Sequence, residues 1–158
     1  MNEIINYEVV SEKTAILAKT LNFDKPCLLF YEDRQLYKTN NIGYTQLNPM
    51  CNSELNKYKH CISAPTQTEL SKWLRDEHNI HVTPELTTCD NNGKGVYKCN
   101  IALPDDNGAC LSIYSPYFYA YKETKSDKFC INIGTYEDAL ELGLQYALKT
   151  LININNIK

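Results

Sequence analysis

The segment from residue 64 to residue 82, APTQTELSKWLRDEHNIHV, constrains the fold most, because it predicts a helix with a defined start and a strand after it. Thr66 and Glu69 have the spacing of a capping box, in which the two side chains satisfy backbone N–H groups at a helix start. Apolar side chains then recur at helical spacing: Leu70, Trp73 and Leu74. We predict a helix over residues 67–78 and a following strand that ends near Pro84, because proline cannot donate to a central ladder.

The carboxyl-terminal segment TYEDALELGLQYALKTLI predicts a second capped helix, with Thr135 and Asp138 as its capping pair. An apolar stripe follows at helical spacing: Leu140, Leu144, Ala147, Leu148 and Leu151. Gly143 lies inside this helix at a cost of about 1 kcal/mol relative to alanine, so we expect it to allow close packing. Residues 153–158 are expected to fray.

The amino-terminal third of the chain predicts a helix and a β-hairpin. Residues 12–21 form the helical pattern, with Ser11 as N-cap and Asn22 as a residue that tolerates left-handed backbone at the end. The segment CLLFYEDRQLYK has two apolar runs around a polar turn, as a hairpin does. Residues 39–62 are rich in asparagine with little periodicity, so we expect a long irregular loop there.

A second hairpin is predicted where VYKCNIAL and ACLSIYS are separated by the turn PDDNG. Its first strand places alternate residues on one face: Tyr97, Cys99, Ile101 and Leu103. Short turns join the predicted strands, so the sheet should be antiparallel. The sequence therefore predicts a single α+β domain over residues 1–158, with helices packed on one face of an antiparallel sheet.

Composition limits the partners and the compartment. With 158 residues, of which 43% are hydrophobic, the chain suits one core. A net charge of −3, with Arg34 and Arg75 as its arginines, disfavours nucleic acid. The amino terminus does not read as a secretion signal, and apolar runs stay short of the ~20 residues that cross a membrane, so we expect a cytoplasmic protein without membrane contact. The 7 cysteines, an odd number, are expected to be reduced thiols.

Known catalytic and ligand motifs are missing from the sequence. Residues 66–151 follow the element order of a double-stranded-RNA-binding domain, but Glu137 and Asp138 stand where such domains have phosphate-facing lysines. The candidate metal ligands are His60 with Cys61 and His78 with His81, without the paired spacing typical of zinc sites. Neither a Walker loop nor GxGxxG occurs. We therefore predict no catalytic residues, no metal and no cofactor.

Three segments together resemble a family of small proteins, without assigned activity, from Bacteroides-type gut bacteria and the phages that infect them. They are APTQTELSKWLRDEHNIHV, GTYEDALELGLQYALKTLI and TAILAKTLNFDKPC. The resemblance covers most of the chain, but it rests on helix caps and core stripes and transfers no site residue. It implies a cytosolic accessory protein, in the host cell cytoplasm if phage-encoded. This context favours virion components and proteins that counter bacterial defence.

The segment LSIYSPYFYAYK, residues 111–122, is chemically the most distinctive. Pro116 interrupts it, so residues 117–122 are expected at an edge or bend. In an extended segment Phe118 and Ala120 share one face, and the opposite face presents Tyr117, Tyr119 and Tyr121. Two interpretations stay open: an ordinary sheet face, or a stacking surface for a flat ring. The candidate ligand-binding residues are Tyr114, Tyr117, Tyr119, Tyr121, Lys122 and Arg75.

These features lead us to expect a non-catalytic, phage-type accessory protein that binds and sequesters a small nucleotide-like signalling molecule of host defence. We expect a homodimer with the ligand near the subunit boundary. The alternative is a protein-interaction or virion-associated module whose exposed aromatic face docks on another protein. A small enzyme is the third hypothesis, which a Cys–His contact in a deep pocket would favour.

Overall fold

The computed structural model describes residues 8–38, 48–58, 60–89, 95–104, 110–113 and 135–157. These residues form α1 (Glu12–Thr20), β1 (Leu29–Glu32), β2 (Gln35–Lys38), α2 (Asn52–Leu55), β3 (Cys61–Ser63), α3 (Gln67–His78), β4 (His81–Cys89), β5 (Gly95–Pro104), β6 (Cys110–Ile113) and α4 (Tyr136–Ile157). The strands pair antiparallel in two sheets, with the orders β2-β1-β3 and β4-β5-β6. The helices and antiparallel strands confirm the α+β class.

The chain divides into two compact units. The first comprises Met1–Leu70 and Leu148–Lys158, and its described part is called the hairpin unit. The second comprises Ser71–Ala147, and its described part is called the meander unit. α3 and α4 each contribute residues to both units.

In the hairpin unit, α1 begins and ends where its caps predict. The Ser11 hydroxyl accepts a hydrogen bond from the Thr14 backbone N–H at 3.4 Å. At the other end, Asn22 has a φ of 63°, in the left-handed region, and its N–H donates to the Lys19 carbonyl at 3.0 Å. The helix predicted over residues 12–21 is confirmed to within one residue at its end.

β1 and β2 form the predicted hairpin. Glu32 pairs with Gln35, so Asp33 and Arg34 form a two-residue turn. Their φ values are 47° and 68°. Positive φ at both central residues is typical of the type I′ turn, whose twist matches that of the flanking strands.

The irregular loop that the sequence predicts over residues 39–62 is contradicted in its second half. Residues 39–47 and residue 59 lie outside the described residues. Among the others, α2 occupies Asn52–Leu55 and β3 begins at Cys61, beside β1. Met50 and Cys27 form an isolated antiparallel bridge.

The Asn52 side chain explains why this asparagine-rich segment is structured. Asn52 is buried, and its Nδ2 donates to the Phe23 carbonyl at 2.8 Å, while its Oδ1 accepts from the Ser63 backbone N–H at 3.0 Å. Both ends of a buried amide are therefore satisfied. The partners are 29 and 11 residues away in the chain, which is why local periodicity does not reveal them.

α3 has the predicted capping box and the predicted bounds, 67–78. The Thr66 N–H donates to Glu69 Oε2 at 2.7 Å, and the Glu69 N–H donates to Thr66 Oγ1 at 3.1 Å. The apolar stripe is buried: Leu70, Trp73 and Leu74. Asn79, with a φ of 53°, ends the helix.

In the meander unit, β4 continues through Pro84 to Cys89, so the predicted end near Pro84 is wrong. Pro84 lies opposite Cys99 of β5. β4 is at an edge of the described sheet and pairs there with β5 alone. The missing N–H of the proline therefore interrupts no hydrogen bonds to a second strand of that sheet. β6 pairs with β5 as the second predicted hairpin. Of the predicted turn PDDNG, residues 104–108, Pro104 ends β5, and residues 105–108 lie outside the described residues, as does the predicted edge segment 117–122.

α4 confirms the packing role predicted for Gly143. A Cβ at Gly143 would lie 2.7 Å from Val82 Cγ1 and closer still to Cys99 Sγ, so a glycine lets the helix approach the sheet. The predicted stripe is buried from Leu140 to Leu148. The helix continues to Ile157, so fraying from residue 153 is contradicted up to that residue. Once nucleated, a helix gains one hydrogen bond for each residue added.

Candidate functional site

Among the residues predicted to bind a ligand, Arg75 falls within the described part of the chain. It is exposed in the last turn of α3, with its Nε 3.3 Å from Asp76 Oδ1. Arg75 is therefore an ion-paired surface side chain. The other predicted residues lie outside the described residues and stay predictions: Tyr114, Tyr117, Tyr119, Tyr121 and Lys122.

The meander unit presents a different group of apolar and aromatic side chains, of which Leu86 and Tyr136 are exposed and Tyr97 is half-buried. We call these three residues the aromatic surface. Leu86 of β4 and Tyr97 of β5 are directly paired, so their side chains lie on the same face of the sheet. The rings of Tyr97 and Tyr136 contact each other edge to face, with centroids 6.2 Å apart and planes at 87°. One strand pair and the first residue of α4 thus meet at this surface.

The position of α4 on the sheet determines how much of this surface is exposed. Gly143 lies against Cys99, and Tyr136, about two helical turns earlier, contacts Tyr97, two residues earlier on β5. Leu86 pairs with Tyr97, whose ring contacts Tyr136 in the first turn of α4, so Leu86 lies beside the start of this helix. Leu86 is 53% exposed and Tyr136 is 44% exposed.

Gly95 makes room for the two strand side chains of the aromatic surface. A Cβ at Gly95 would lie 2.9 Å from Leu86 Cδ1 and 3.1 Å from Tyr97 Cε2. The leucine and the tyrosine therefore lie over the glycine backbone. Alanine at position 95 would place a methyl group between the backbone and these two side chains.

Part of the aromatic surface could be recognised in the sequence. Tyr97 belongs to the face predicted for β5, and Tyr136 is the first residue of the predicted helix. Tyr136 precedes Gly143 in α4 and Tyr97 precedes Cys99 in β5, so the two tyrosines lie on the same side of the contact between Gly143 and Cys99. The sequence does not reveal that Gly143 contacts Cys99, and this contact is visible only in the tertiary structure.

Burial makes three of the described thiols poor nucleophiles. It raises the pKa of Cys27 to about 12, with a smaller contribution from the Glu69 carboxylate. It also raises the pKa of Cys99 to about 12. The pKa of Cys61 is raised by burial and then by Glu32. Because the thiolate is the reactive form, the raised pKa values lower the nucleophilicity of these three thiols near neutral pH.

The fourth described thiol, Cys51, belongs to the polar cap of α2. Its Sγ lies 3.0 Å from Ser53 Oγ and 3.1 Å from Glu54 Oε2, and its N–H donates to Glu54 Oε2. The Ser53 N–H donates to Asp24 Oδ1 at 2.7 Å. Backbone hydrogen bonds lower the pKa of both carboxyl groups, Asp24 and Glu54. These contacts show that Asp24, Cys51, Ser53 and Glu54 together cap the start of α2.

His78 packs against a core aromatic ring. Its ring contacts Trp73 edge to face at 4.6 Å, and its Nε2 is buried. Burial lowers the His78 pKa, which Glu77 raises in part. The candidate ligands considered above were His60 with Cys61 and His78 with His81. Within the described residues, no group of three or more His, Cys, Asp and Glu side chains is placed to hold a metal ion.

Comparison of the chain with protein-family models, with curated proteins and with solved structures finds no match. Among the described helices, none has the length and apolar character needed to cross a bilayer.

Proposed function

We propose that this protein is a non-catalytic binding protein that captures a small molecule with a flat, nucleotide-like ring. The observation that supports this most is the aromatic surface, where Tyr136 and Leu86 stay exposed beside the half-buried ring of Tyr97. A heterocyclic base gains about 1–3 kcal/mol from stacking on an aromatic side chain in single-stranded nucleic-acid complexes. A small ligand with such a ring matches this surface chemically.

The biological context of the proposal rests on the family resemblance alone. It favours a phage-type accessory protein that sequesters a signalling molecule of host defence. The predicted tyrosine row, Tyr117, Tyr119 and Tyr121, would add a second stacking surface to the same protein. The host-defence role and the second stacking surface are both proposals, and ligand-binding experiments can test them.

The direct test is a thermal-shift panel of nucleosides, nucleotides, cyclic dinucleotides and ADP-ribose derivatives. A ligand at 100 times its Kd stabilises the native state by ~2.7 kcal/mol. A chain of this size gains roughly 2–4 °C in Tm for each kcal/mol. We expect at least one compound of the panel to give a saturable shift of that order.

Two exposed leucines provide matched variants. Leu86→Ala removes an apolar part of the aromatic surface, whereas Leu36→Ala removes a leucine of similar exposure, 45% against 53%, from β2 in the other unit. Ligand affinity should fall in Leu86→Ala and stay unchanged in Leu36→Ala. No shift with any compound, or equal loss in both variants, would contradict the proposal.

A second candidate function is docking on another protein, which the 53% exposure of the apolar Leu86 side chain favours. This function predicts a stoichiometric protein partner in native cells. The partner should be lost with Leu86→Ala and retained with Leu36→Ala. Mass spectrometry of small molecules released from the denatured protein separates the two functions, because only ligand capture predicts a bound compound.

A further inference from the structure

We infer that Gly95 and a β-bulge at Thr87 are positioning elements of the aromatic surface, and that they hold the Leu86 side chain where a ligand meets it. This inference rests on the proposed function and adds positioning residues that a ligand need not touch. It is supported by the register of β4 and β5, by the hydrogen bond of the Thr87 hydroxyl and by the atoms around Gly95.

The pairing of β4 with β5 changes directly after Leu86. Leu86 pairs with Tyr97. Thr88, two residues later, pairs with Val96, one residue earlier on β5, so β4 has one extra residue at this point. The extra residue is Thr87, and a β-bulge of this kind disrupts the ladder locally and increases the twist of the strand. Bulges occur often next to functional sites, where they change the direction of a side chain.

The bulge also decides which residue lies opposite Gly95. In an uninterrupted ladder, residue 88 would lie opposite Gly95, in register with the face that carries Leu86. The observed register places Cys89 opposite Gly95 instead. The bulge thus takes a β-branched residue out of the register of the Leu86 face.

A side-chain hydrogen bond restrains the bulge. The Thr87 Oγ1 donates to the Val96 carbonyl at 2.9 Å. This bond joins the extra residue of β4 to the facing strand. Valine has nearly the same shape as threonine but no hydroxyl, so it would not restrain the bulge in this way.

The backbone of Gly95 does not itself require glycine. Its φ lies outside the positive range that L side chains rarely adopt. The atoms nearest to an added Cβ are Leu86 Cδ1 at 2.9 Å, Tyr97 Cε2 at 3.1 Å and Tyr97 Oη at 3.2 Å. These atoms lie towards the ends of side chains, which can move aside. Glycine is therefore needed here for the position of the two side chains and not for the backbone.

Gly143 shows the contrast. An added Cβ at Gly143 would meet Cys99 Sγ and Val82 Cγ1, where α4 lies on the sheet. Cys99 is 2% exposed, and a close-packed interior leaves such a side chain little room to move. Alanine at position 143 therefore overpacks a contact, whereas alanine at position 95 displaces an exposed leucine.

The first test is Gly95→Ala in the full chain, with binding and stability measured on the same samples. The probes are the compounds of the thermal-shift panel that bind the native chain, beginning with AMP, cyclic di-AMP and ADP-ribose, titrated by calorimetry. We expect affinity to fall about fourfold, the effect of roughly one lost methyl contact. Tm should stay the same or rise, because alanine restricts the unfolded chain. Gly143→Ala, the matched control, should instead lower Tm.

The second test separates the hydroxyl of Thr87 from its shape. Thr87→Val removes the hydroxyl, and Thr87→Ser retains it. The nuclear Overhauser effect between the Leu86 δ-methyl protons and the Gly95 α protons should weaken in Thr87→Val and persist in Thr87→Ser, and affinity for the same probes should follow the same order. Thr83→Val, at an exposed threonine of the same strand, should change neither.

The outcomes separate this inference from the proposed function. If a probe binds and Leu86→Ala weakens it, but Gly95→Ala and Thr87→Val do not, the proposed function stands and the inference is wrong. Equal losses of Tm in Gly95→Ala and Gly143→Ala would also overturn the inference, because Gly95 would then be needed for packing. If no compound of the panel binds the native chain, the proposed function fails and the inference fails with it.

Discussion

The hairpin unit and the meander unit stabilise small antiparallel sheets by different means. In the hairpin unit, side chains bond to distant backbone groups: Asn52 to Phe23, Tyr31 to Val10 and Lys19 to Cys61. In the meander unit, α4 lies directly on β4 and β5, where Gly143 meets Val82 and Cys99. The hairpin unit thus adds directed polar bonds to its apolar core of Phe30, Leu55 and Cys61, whereas the meander unit has close apolar contact between a helix and a sheet.

Strand length accounts for this difference. β1, β2 and β3 have 4, 4 and 3 residues, so they offer little area for a helix to cover. β4 and β5 have 9 and 10 residues, enough to bury a helix face and still extend beyond it. The exposed aromatic surface is a consequence of that extra length. The short sheet thus has side-chain hydrogen bonds from distant residues, whereas the long sheet leaves Leu86 exposed on one face.

The largest effect is expected from Asn52→Ala in the hairpin unit. The substitution removes the hydrogen bonds that the buried amide makes with the Phe23 carbonyl and the Ser63 N–H, and the loss of such a bond at a buried group costs about 1–3 kcal/mol. We expect the free energy of unfolding to fall by about 3 kcal/mol or more, measured by urea denaturation followed by circular dichroism.

The control for this substitution is Asn56→Ala, an exposed asparagine directly after α2. It should change the free energy of unfolding by less than about 0.5 kcal/mol, as most surface substitutions do. Equal effects of Asn52→Ala and Asn56→Ala would show that the stability of the hairpin unit does not depend on the buried amide.

A smaller loss is expected from Gly143→Ala in the meander unit. The added methyl group improves helix propensity by about 1 kcal/mol but overpacks the contact with Val82 and Cys99, which costs about 1–3 kcal/mol. We expect a net loss of about 1 kcal/mol in the free energy of unfolding, measured by the same urea titration.

A double-mutant cycle tests whether close contact is the cause. Cys99→Ala removes the Sγ that the new methyl group would meet. The double variant should therefore be more stable than the sum of the single changes implies, by about 0.5 kcal/mol or more. Additive effects would show that Gly143 is not needed for helix approach.

The smallest effect is expected from mild acid on His78. Burial lowers the His78 pKa below its ordinary value of 6.5, so the native state favours the neutral ring. The unfolded state then binds more protons below pH 6.5, and stability falls as pH drops from 6.5 towards the lowered pKa. Above pH 6.5 both states are neutral at this residue and the contribution is constant.

Trp73 reports this effect, because it is the single tryptophan of the chain and its ring contacts His78. The urea midpoint followed by tryptophan fluorescence should fall between pH 7.5 and pH 5.5. His78→Gln should reduce this dependence, whereas replacement of the exposed His81 should not. An unchanged slope in His78→Gln would assign the dependence to another group.

The elements defined by neighbouring residues were predictable from the sequence. Caps at Ser11, Thr66 and Thr135 set three helix starts, and a polar turn set the first hairpin. Each of these signals lies within a few residues, so the chemistry that decides the structure is visible in the local pattern.

The elements that depend on distant partners were not predictable in the same way. Asn52 joins α2 to β3, and β4 continues past Pro84, which lies at an edge of the sheet as far as its strands are described. The aromatic surface likewise depends on where α4 lies along β5. Periodicity indicates which face of an element is apolar, but not how far one element extends past another.

Pro84 also has a consequence for contacts between molecules. A long strand with an open edge is a template on which a second chain can add in register and start an aggregate. In the middle of β4, Pro84 has no amide hydrogen, because the pyrrolidine ring replaces it. Within the described sheet, the edge strand β4 therefore has no donor at this residue for a further strand.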